Sequence, residues 1–511
     1  MAMRRLFETA VKLPGAPGLR RLTVTEEQWL EAARDLAAAG ARLLALWASG
    51  QSHGSQSVYA AFATEPGVLV LMLAREQDGL PYPGLEEMFP AASRMQRAIA
   101  DLSGLRSTDP DTRRWLRHAA WPEDFHPLVD EHVPPAPQSP AVDDYPFVRV
   151  EGEGVHEIPV GPVHAGIIEP GHFRFSVVGE KVLKLEERLG YVHKGIERRF
   201  TELPILEGHR LAARVSGDSA VAFSWAYCQA LEGLSGAEIP PRAAWLRALA
   251  LELERIANHL GDLGALGNDA GFAFGLAQFS RLKEQVLRAT ERALGQRYLL
   301  DVVVPGGVRA DIDAAAADAL RACVAQVASE VRELRDIYDE HAGVRDRFTG
   351  AGVLTPSLAM RLGVVGLAGR ASGQAFDLRV DLPCPPYDEI RPAKVCRSEG
   401  DVAARVAVRF DEVMESCRLV ARLLARLPEG EYRTVVPAPP AGVAVGLIES
   451  WRGPVLVGLE AGPGGTIRRC HPHDPSWQNW PALEHAIMDN IVPDFPLINK
   501  SFNLSYSGHD L

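Results

Sequence analysis

Leu246, Leu249, Leu253, Ile256 and Leu260 recur at spacings of three and four, the period of a helix that buries one face. Pro241 stands where such a helix would begin, a favoured place for proline because the first-turn N–H is not needed there. Comparable patterns over 180–201, 204–233, 272–297, 311–342, 357–371 and 400–427 predict a succession of helices joined by short loops rich in Gly and Pro. Strand-like pieces near 146–150 and 171–178 precede this region, and another β element is expected near 442–470. The start of the chain has a different texture: a helical pattern over 26–49, strand-like segments at 56–63 and 67–74, and a second helix over 91–103. The fold class predicted is α+β, a small α+β domain followed by a mainly helical bundle with small β elements.

Val133-Pro134-Pro135-Ala136-Pro137-Gln138-Ser139-Pro140 reads as an extended spacer between domains. It sets expected boundaries at 1–130 for the first domain, 131–146 for the linker and 147–511 for the second. Two or three domains also suit 511 residues, and 47% hydrophobic with 23% charged residues suits a water-soluble protein with a sizeable core. A net charge of −12 argues against nucleic acid as a partner, since phosphate binding needs clustered Lys and Arg. No apolar run approaches the roughly 20 residues needed to span a bilayer. The longest, Val68 to Ala74, suits a buried strand, and no apolar signal region follows the basic start Met1-Ala2-Met3-Arg4-Arg5. A cytoplasmic chain is therefore expected, reaching the membrane only through partner subunits. Cys228, Cys323, Cys384, Cys396, Cys417 and Cys470 include no Cys-x-x-Cys pair and read as reduced, buried thiols.

Ala92-Ser93-Arg94-Met95-Gln96-Arg97-Ala98-Ile99-Ala100-Asp101-Leu102, with Asp109-Pro110-Asp111 and Trp121-Pro122, resembles the C subunit of respiratory complex I. Further stretches resemble the D subunit of complex I and its relatives among energy-converting [NiFe] hydrogenases of the formate-hydrogenlyase type. These are Gly161-Pro162-Val163-His164, Glu169-Pro170-Gly171-His172-Phe173-Arg174, Tyr191-Val192-His193-Lys194-Gly195-Ile196-Glu197, Pro305-Gly306-Gly307-Val308 and Asp474-Pro475-Ser476-Trp477. Arg214-Val215-Ser216-Gly217-Asp218-Ser219 and the terminal Ser501 to Leu511 resemble the two Cys-x-x-Cys motifs that hold nickel and iron in that family. The four ligand positions fall on Ser216, Ser219, Ser505 and Gly508.

The resemblance implies a metal cavity whose ligands are gone. Nickel and iron in such a site need soft, deprotonated sulfur, and hydroxyls or a glycine do not supply it. No metal is expected, hydrogen chemistry is not expected, and an end shortly after Gly508 fits a subunit needing no nickel-dependent processing. In complex I the same cavity receives a quinone headgroup, but its quinone-holding tyrosine falls on Gly217 and Phe223 replaces a histidine. A possible quinone is the one cofactor expected. The residues that resemble working groups are Glu169 as a proton carrier, Arg452 overhanging the site, Asp218 between the lost ligands, and His164 and His172 on the entrance loop. His509 and Asp510 are expected to approach from the terminus. Against these roles stand plainer ones: loop caps for Glu169 and His172, a structural ion pair for Arg452, one with Arg214 for Asp218, and backbone-bonded hydroxyls for Ser216, Ser219 and Ser505.

Three functions remain open at this level: a metal-free peripheral-arm subunit of a complex-I-like membrane oxidoreductase, an active hydrogenase subunit with altered ligands, and a non-catalytic scaffold. The resemblance implies as partners an iron–sulfur small subunit like the B subunit of complex I and a ferredoxin-like iron–sulfur subunit. It also implies membrane subunits like the H subunit of complex I and its antiporter-like subunits. An NAD link follows from kinship alone, because the chain shows no dinucleotide fingerprint.

Overall fold

The computed structural model describes residues 2–50, 56–75, 80–119, 121–130, 134, 144–164 and 168–511. Apart from Pro134, the proline-rich spacer lies outside the described residues. Leu19–Val24, Gly67–Arg75, Gln56–Thr64 and Arg42–Ser49 form, in that order, the body of a five-stranded sheet with Val11–Lys12 at its edge. All neighbours run antiparallel except Leu19–Val24 beside Gly67–Arg75. The helix Glu26–Ala38 starts at a capping box in which Thr25 and Gln28 each satisfy the other's backbone N–H. It buries Trp29 and Leu36 completely.

The expected helix over 26–49 is thus half helix, half strand. Gly40 turns the chain with φ +72°, and Arg42–Ser49 continues as a strand. Its run Leu43-Leu44-Ala45-Leu46-Trp47 is buried on both faces, and a short continuous apolar run has no period with which to tell a strand from a helix. Over 180–201, Lys181–Arg188 is a strand and only Ile196–Thr201 is helical. The strand expected near 146–150 lies instead at Val155–Val160, paired with His172–Val178.

The helical pattern elsewhere gives helices. Pro241–Asp269, Ala273–Leu294, Ala314–Glu340 and Val402–Ala425 pack side by side as the bundle. The segment 357–371 is two short helices, Pro356–Leu362 and Gly366–Ala371, broken where Gly363 takes φ +71°. The segment 204–233 is also interrupted: Gly208–Ala212 stops before Arg214, and Ala220–Ser235 starts after Ser219. The non-helical turn between them is one wall of the cavity described below. A three-stranded antiparallel sheet, Gly442–Glu449, Pro454–Ala461 and Ile467–His473, packs on Ala220–Ser235. Gly446 allows this, because any Cβ there would overlap the Ala226 carbonyl. No helix among the described residues is long and apolar enough to cross a membrane.

Candidate functional site

A cavity of about 890 Å³ opens mainly between five parts of the chain, with Lys283 reaching it from Ala273–Leu294. The 214–219 turn contributes Ser216, Gly217 and Asp218, and the tight turn after Gly442–Glu449 contributes Trp451 and Arg452. The terminal segment adds Asn499, Lys500 and Asn503 to Ser507, and the entrance loop adds His164, Ile168 and Glu169. The fifth wall is one face of Pro241–Asp269, where Asn258, Asp262, Ala265 and Asp269 recur every three or four residues.

Arg452 is the anchor of the floor. It is buried, lies 4.3 Å over the Trp451 ring, and donates from Nε to the Asn503 carbonyl at 2.6 Å. Its two terminal nitrogens clasp Asp218 at 2.5 and 3.3 Å, a bidentate geometry that carboxylates favour. Asp218 also accepts the Ser216 hydroxyl at 2.6 Å. Burial pushes the Asp218 carboxyl up, but the Arg452 charge and these hydrogen bonds outweigh it and hold the group below its ordinary value. The Arg214 partnership is not formed: Arg214 binds Asp301 at 2.6 and 2.8 Å.

Of the four positions that the resemblance sets against metal-holding sulfur, three are committed otherwise. Ser216 and Ser505 hydroxyls lie 3.0 Å apart, and Ser505 also accepts the Gly508 N–H at 2.8 Å. Ser219 is wholly buried, stands behind the cavity wall, and has no hydroxyl partner among the described residues. A Cβ on Gly508 would lie 2.6 Å from the Asp474 carboxylate, so the space of a cysteine side chain there is occupied. These residues do not fit a nickel–iron centre, which needs four thiolates. Among the described residues no group of three or more His, Cys, Asp or Glu is arranged around a metal-sized space.

Glu169 lines the cavity and accepts the Ser507 N–H at 3.1 Å. His164 lines it too, with Nε2 2.8 Å from the Gly171 carbonyl. His172 does not reach it: the ring is buried against Phe147 and bonds the Gly161 carbonyl at 3.1 Å. His509 and Asp510 also turn away, against the expectation. His509 bonds Asp510 at 2.8 Å and stacks on Trp477 at 4.0 Å, while Asp510 accepts the Val192 N–H at 3.1 Å.

Several lining groups escape the sequence reading. Asp262 holds buried Arg409 at 2.8 Å, and Asp269 pairs with Lys500 at 2.8 Å. Lys283 and Tyr506 complete the polar lining, and burial raises the Tyr506 phenol. The periodic Asn258, Asp262 and Asp269 on a helix otherwise rich in Leu and Ala are the signal that marks this face.

Residues 22–138 match the family described as the 30 Kd subunit of respiratory-chain NADH dehydrogenase, and residues 269–439 match its 49 Kd subunit. Formate hydrogenlyase subunit 5 of Escherichia coli K12 is 32% identical over 473 residues, 90% of this chain and 82% of that one. The C/D subunit of NADH-quinone oxidoreductase from Bacteroides thetaiotaomicron is 28% identical, over 74% of this chain and 76% of its own length. A chain in the structure of the membrane-bound sulfane sulfur reductase, an archaeal respiratory membrane complex, superposes with a TM-score of 0.66 and 25% identity. That match covers 70% of this chain and 99% of the other. Fold and matches together define a fused subunit of the complex I 30-kDa/49-kDa type. The chain belongs to the family that includes formate hydrogenlyase subunit 5 and the C/D subunits of NADH-quinone oxidoreductases.

Proposed function

We propose that this chain is the peripheral subunit of a complex-I-like, hydrogenase-related membrane oxidoreductase, and that its cavity works without metal. The cavity takes the polar head of a quinone-like acceptor and supplies it with protons, in step with ion movement through the membrane partners. The observation that carries this reading is the floor of the cavity. The Ser216 hydroxyl is spent on Asp218 and Ser505, Asp474 occupies the Gly508 corner, and Arg452 is clamped in the floor by Asp218. What is left is a polar, partly apolar-walled space of small-molecule size, with His164, Lys283 and Glu169 at its edge.

Reduction of a quinone head to the quinol takes up two electrons and two protons. The electrons come from an iron–sulfur partner subunit, since this chain offers no redox centre of its own in this reading. Lys283 is placed to donate a hydrogen bond to one of the acceptor's carbonyl oxygens. Glu169, at the entrance and bonded to Ser507, is placed to hand protons inward. The chain sits on the cytoplasmic face of the membrane, held by membrane partners.

The test is metal analysis together with quinol formation by the purified complex. The expected result is less than stoichiometric nickel, quinol production with wild-type chain, and a fall of about 100-fold with Glu169→Gln while the complex stays assembled. Stoichiometric nickel, or hydrogen uptake that tracks this subunit, would overturn the reading. If Glu169→Gln and Arg452→Ala both left turnover unchanged, the chain would be a scaffold.

A further inference from the structure

Asn258 stands on the cavity face of Pro241–Asp269, and both hydrogens of its side-chain amide are already committed. Nδ2 donates to the Asp218 carbonyl at 2.7 Å and to the Glu254 carbonyl, one turn back on its own helix, at 3.0 Å. Carbonyl oxygens only accept, so the amide cannot be turned over, and Oδ1 must be the atom on the other side. Trp451 Nε1 donates to the same Asp218 carbonyl at 2.8 Å, which fixes the turn against which Asn258 rests. Asn258 Oδ1 accepts no hydrogen bond among the described residues, and it is not sealed in the interior, because the residue is half-buried and lines the cavity.

A cation stands beside it. Lys283 reaches the cavity from Ala273–Leu294, and its Nζ lies 2.9 Å from where a Cβ on Gly261 would sit. Gly261 is three residues on from Asn258, so the two positions are neighbours on one helix face. A side chain at Gly261 would push the ammonium away from that place. Lys283 has no carboxylate or carbonyl partner among the described residues, in contrast with Lys500, which Asp269 holds. Arg452 and Asp262 on the neighbouring walls are committed, the first to Asp218 and the second to Arg409 and Asn503. The cavity thus sets one free donor next to one free acceptor.

We propose that this pair recognises a hydroxyl group, so that the cavity holds the reduced, hydroxyl-bearing form of its acceptor more tightly than the oxidised, carbonyl-bearing form. The inference rests on the quinone reading above. A quinol oxygen accepts from Lys283 while its proton goes to Asn258 Oδ1, and both protein groups are satisfied. A quinone carbonyl accepts from Lys283 in the same way, but it has no proton for Asn258, whose oxygen then faces another oxygen in place of water. Lys283 therefore grips either form, and Asn258 separates them. Quinone becomes quinol by taking two electrons, from the iron–sulfur partner, and two protons. A preference of about tenfold for the quinol, the worth of one neutral hydrogen bond, raises the two-electron midpoint potential of the bound couple by about 30 mV. The cavity itself thus favours the direction of reduction.

Calorimetric titration of the purified complex under argon with duroquinol, duroquinone and the dimethyl ether of duroquinol tests this. Wild type is expected to bind duroquinol about tenfold more tightly than duroquinone. The ether, which keeps the two oxygens but not their protons, is expected to bind no better than the quinone. Asn258→Ala is expected to bring the quinol down to the affinity of the quinone while the quinone changes less than about twofold. Lys283→Met is expected to weaken quinol and quinone alike. Equal affinities for the two in wild type, or an ether that binds as tightly as the quinol, would overturn the hydroxyl recognition and leave the quinone reading standing. A loss in Asn258→Ala shared equally by both forms would overturn it too, reducing Asn258 to a prop for the 214–219 turn. Binding of none of the three probes would sink the quinone reading, and this inference with it.

Discussion

A side chain placed on Gly217 meets no atom within 4 Å of its Cβ, whereas one on Gly508 meets the Asp474 carboxylate at 2.6 Å and Ser505 Oγ at 2.8 Å. Both glycines occupy the old metal motifs, yet one faces open space and the other a filled corner. Gly217→Tyr is therefore expected to fold with stability within about 0.5 kcal/mol of wild type while placing a phenol in the cavity. Gly508→Ala is expected to cost about 1–3 kcal/mol, because two buried polar groups must move aside. Urea denaturation midpoints of the two variants check this contrast, and equal midpoints would show that the Gly508 corner is not closed. The same scale governs Asp218. Its carboxyl is held down by Arg452, so its stabilising effect is present above the ordinary value of 3.8 and is lost as pH falls through the lowered one. Arg452→Ala is expected to flatten that acid limb, read as thermal midpoints from pH 5 down to pH 2.

The helix Pro241–Asp269 serves two interiors at once, and its polar residues divide between them. Asn258, Asp262 and Asp269 face the cavity, while Glu252, Arg255 and His259 enter a wholly buried network. At the centre of that network Glu412, from Val402–Ala425, receives Arg255 at 2.5 Å, Arg370 at 2.7 Å and His259 at 3.0 Å. Burial pushes Glu412 up, but the two guanidinium groups and His259 hold it well below its ordinary value. Glu412→Ala leaves two arginines in the core without their shared carboxylate and is expected to cost about 3–5 kcal/mol, seen as a lower urea midpoint with an unchanged slope. A loss under about 1 kcal/mol would mean that water or Glu449 takes over the role. The apolar period of this helix and of Val402–Ala425 is plain in the sequence because each still buries an apolar stripe, of leucine and alanine in the first and mainly of valine and leucine in the second. The charged network is not, because Arg255 and Glu412 are 157 positions apart and nothing local marks them as partners. Arg42–Ser49 is hidden for the opposite reason, since burial on both faces erases the alternation that identifies a strand.

Joining the N-terminal sheet to the rest of the molecule takes backbone and ring contacts that no motif announces. Val445 exchanges hydrogen bonds with Pro14 and Ala16, Arg469 donates to the Ala48 carbonyl at 2.8 Å, and Trp47 stacks on His471 at 5.5 Å. The candidate site is legible where family motifs mark it, at Ser216, Asp218, Arg452 and Glu169. It is misread at His172, His509 and Asp510, because position in a motif does not fix which way a side chain turns. Charge at the joint predicts how the two parts respond to acid. Burial raises the Glu197 carboxyl, but Arg469 and His471 draw it down to about 2, while burial lowers His471 and His473 below 6.5. For each of these groups the folded value is below the unfolded one, so its contribution is complete above the unfolded value and is lost on acidification. The imidazoles act first, as pH falls below about 6.5, and Glu197 only under about 4.5. Thermal midpoints are therefore expected to decline between pH 7 and pH 5. His471→Phe keeps a ring against Trp47 but takes no proton, so it is expected to melt lower at pH 7, having lost the Glu197 bond at 2.7 Å, yet with a shallower decline. A variant that follows the wild-type slope across that range would place the acid sensitivity elsewhere than at this joint.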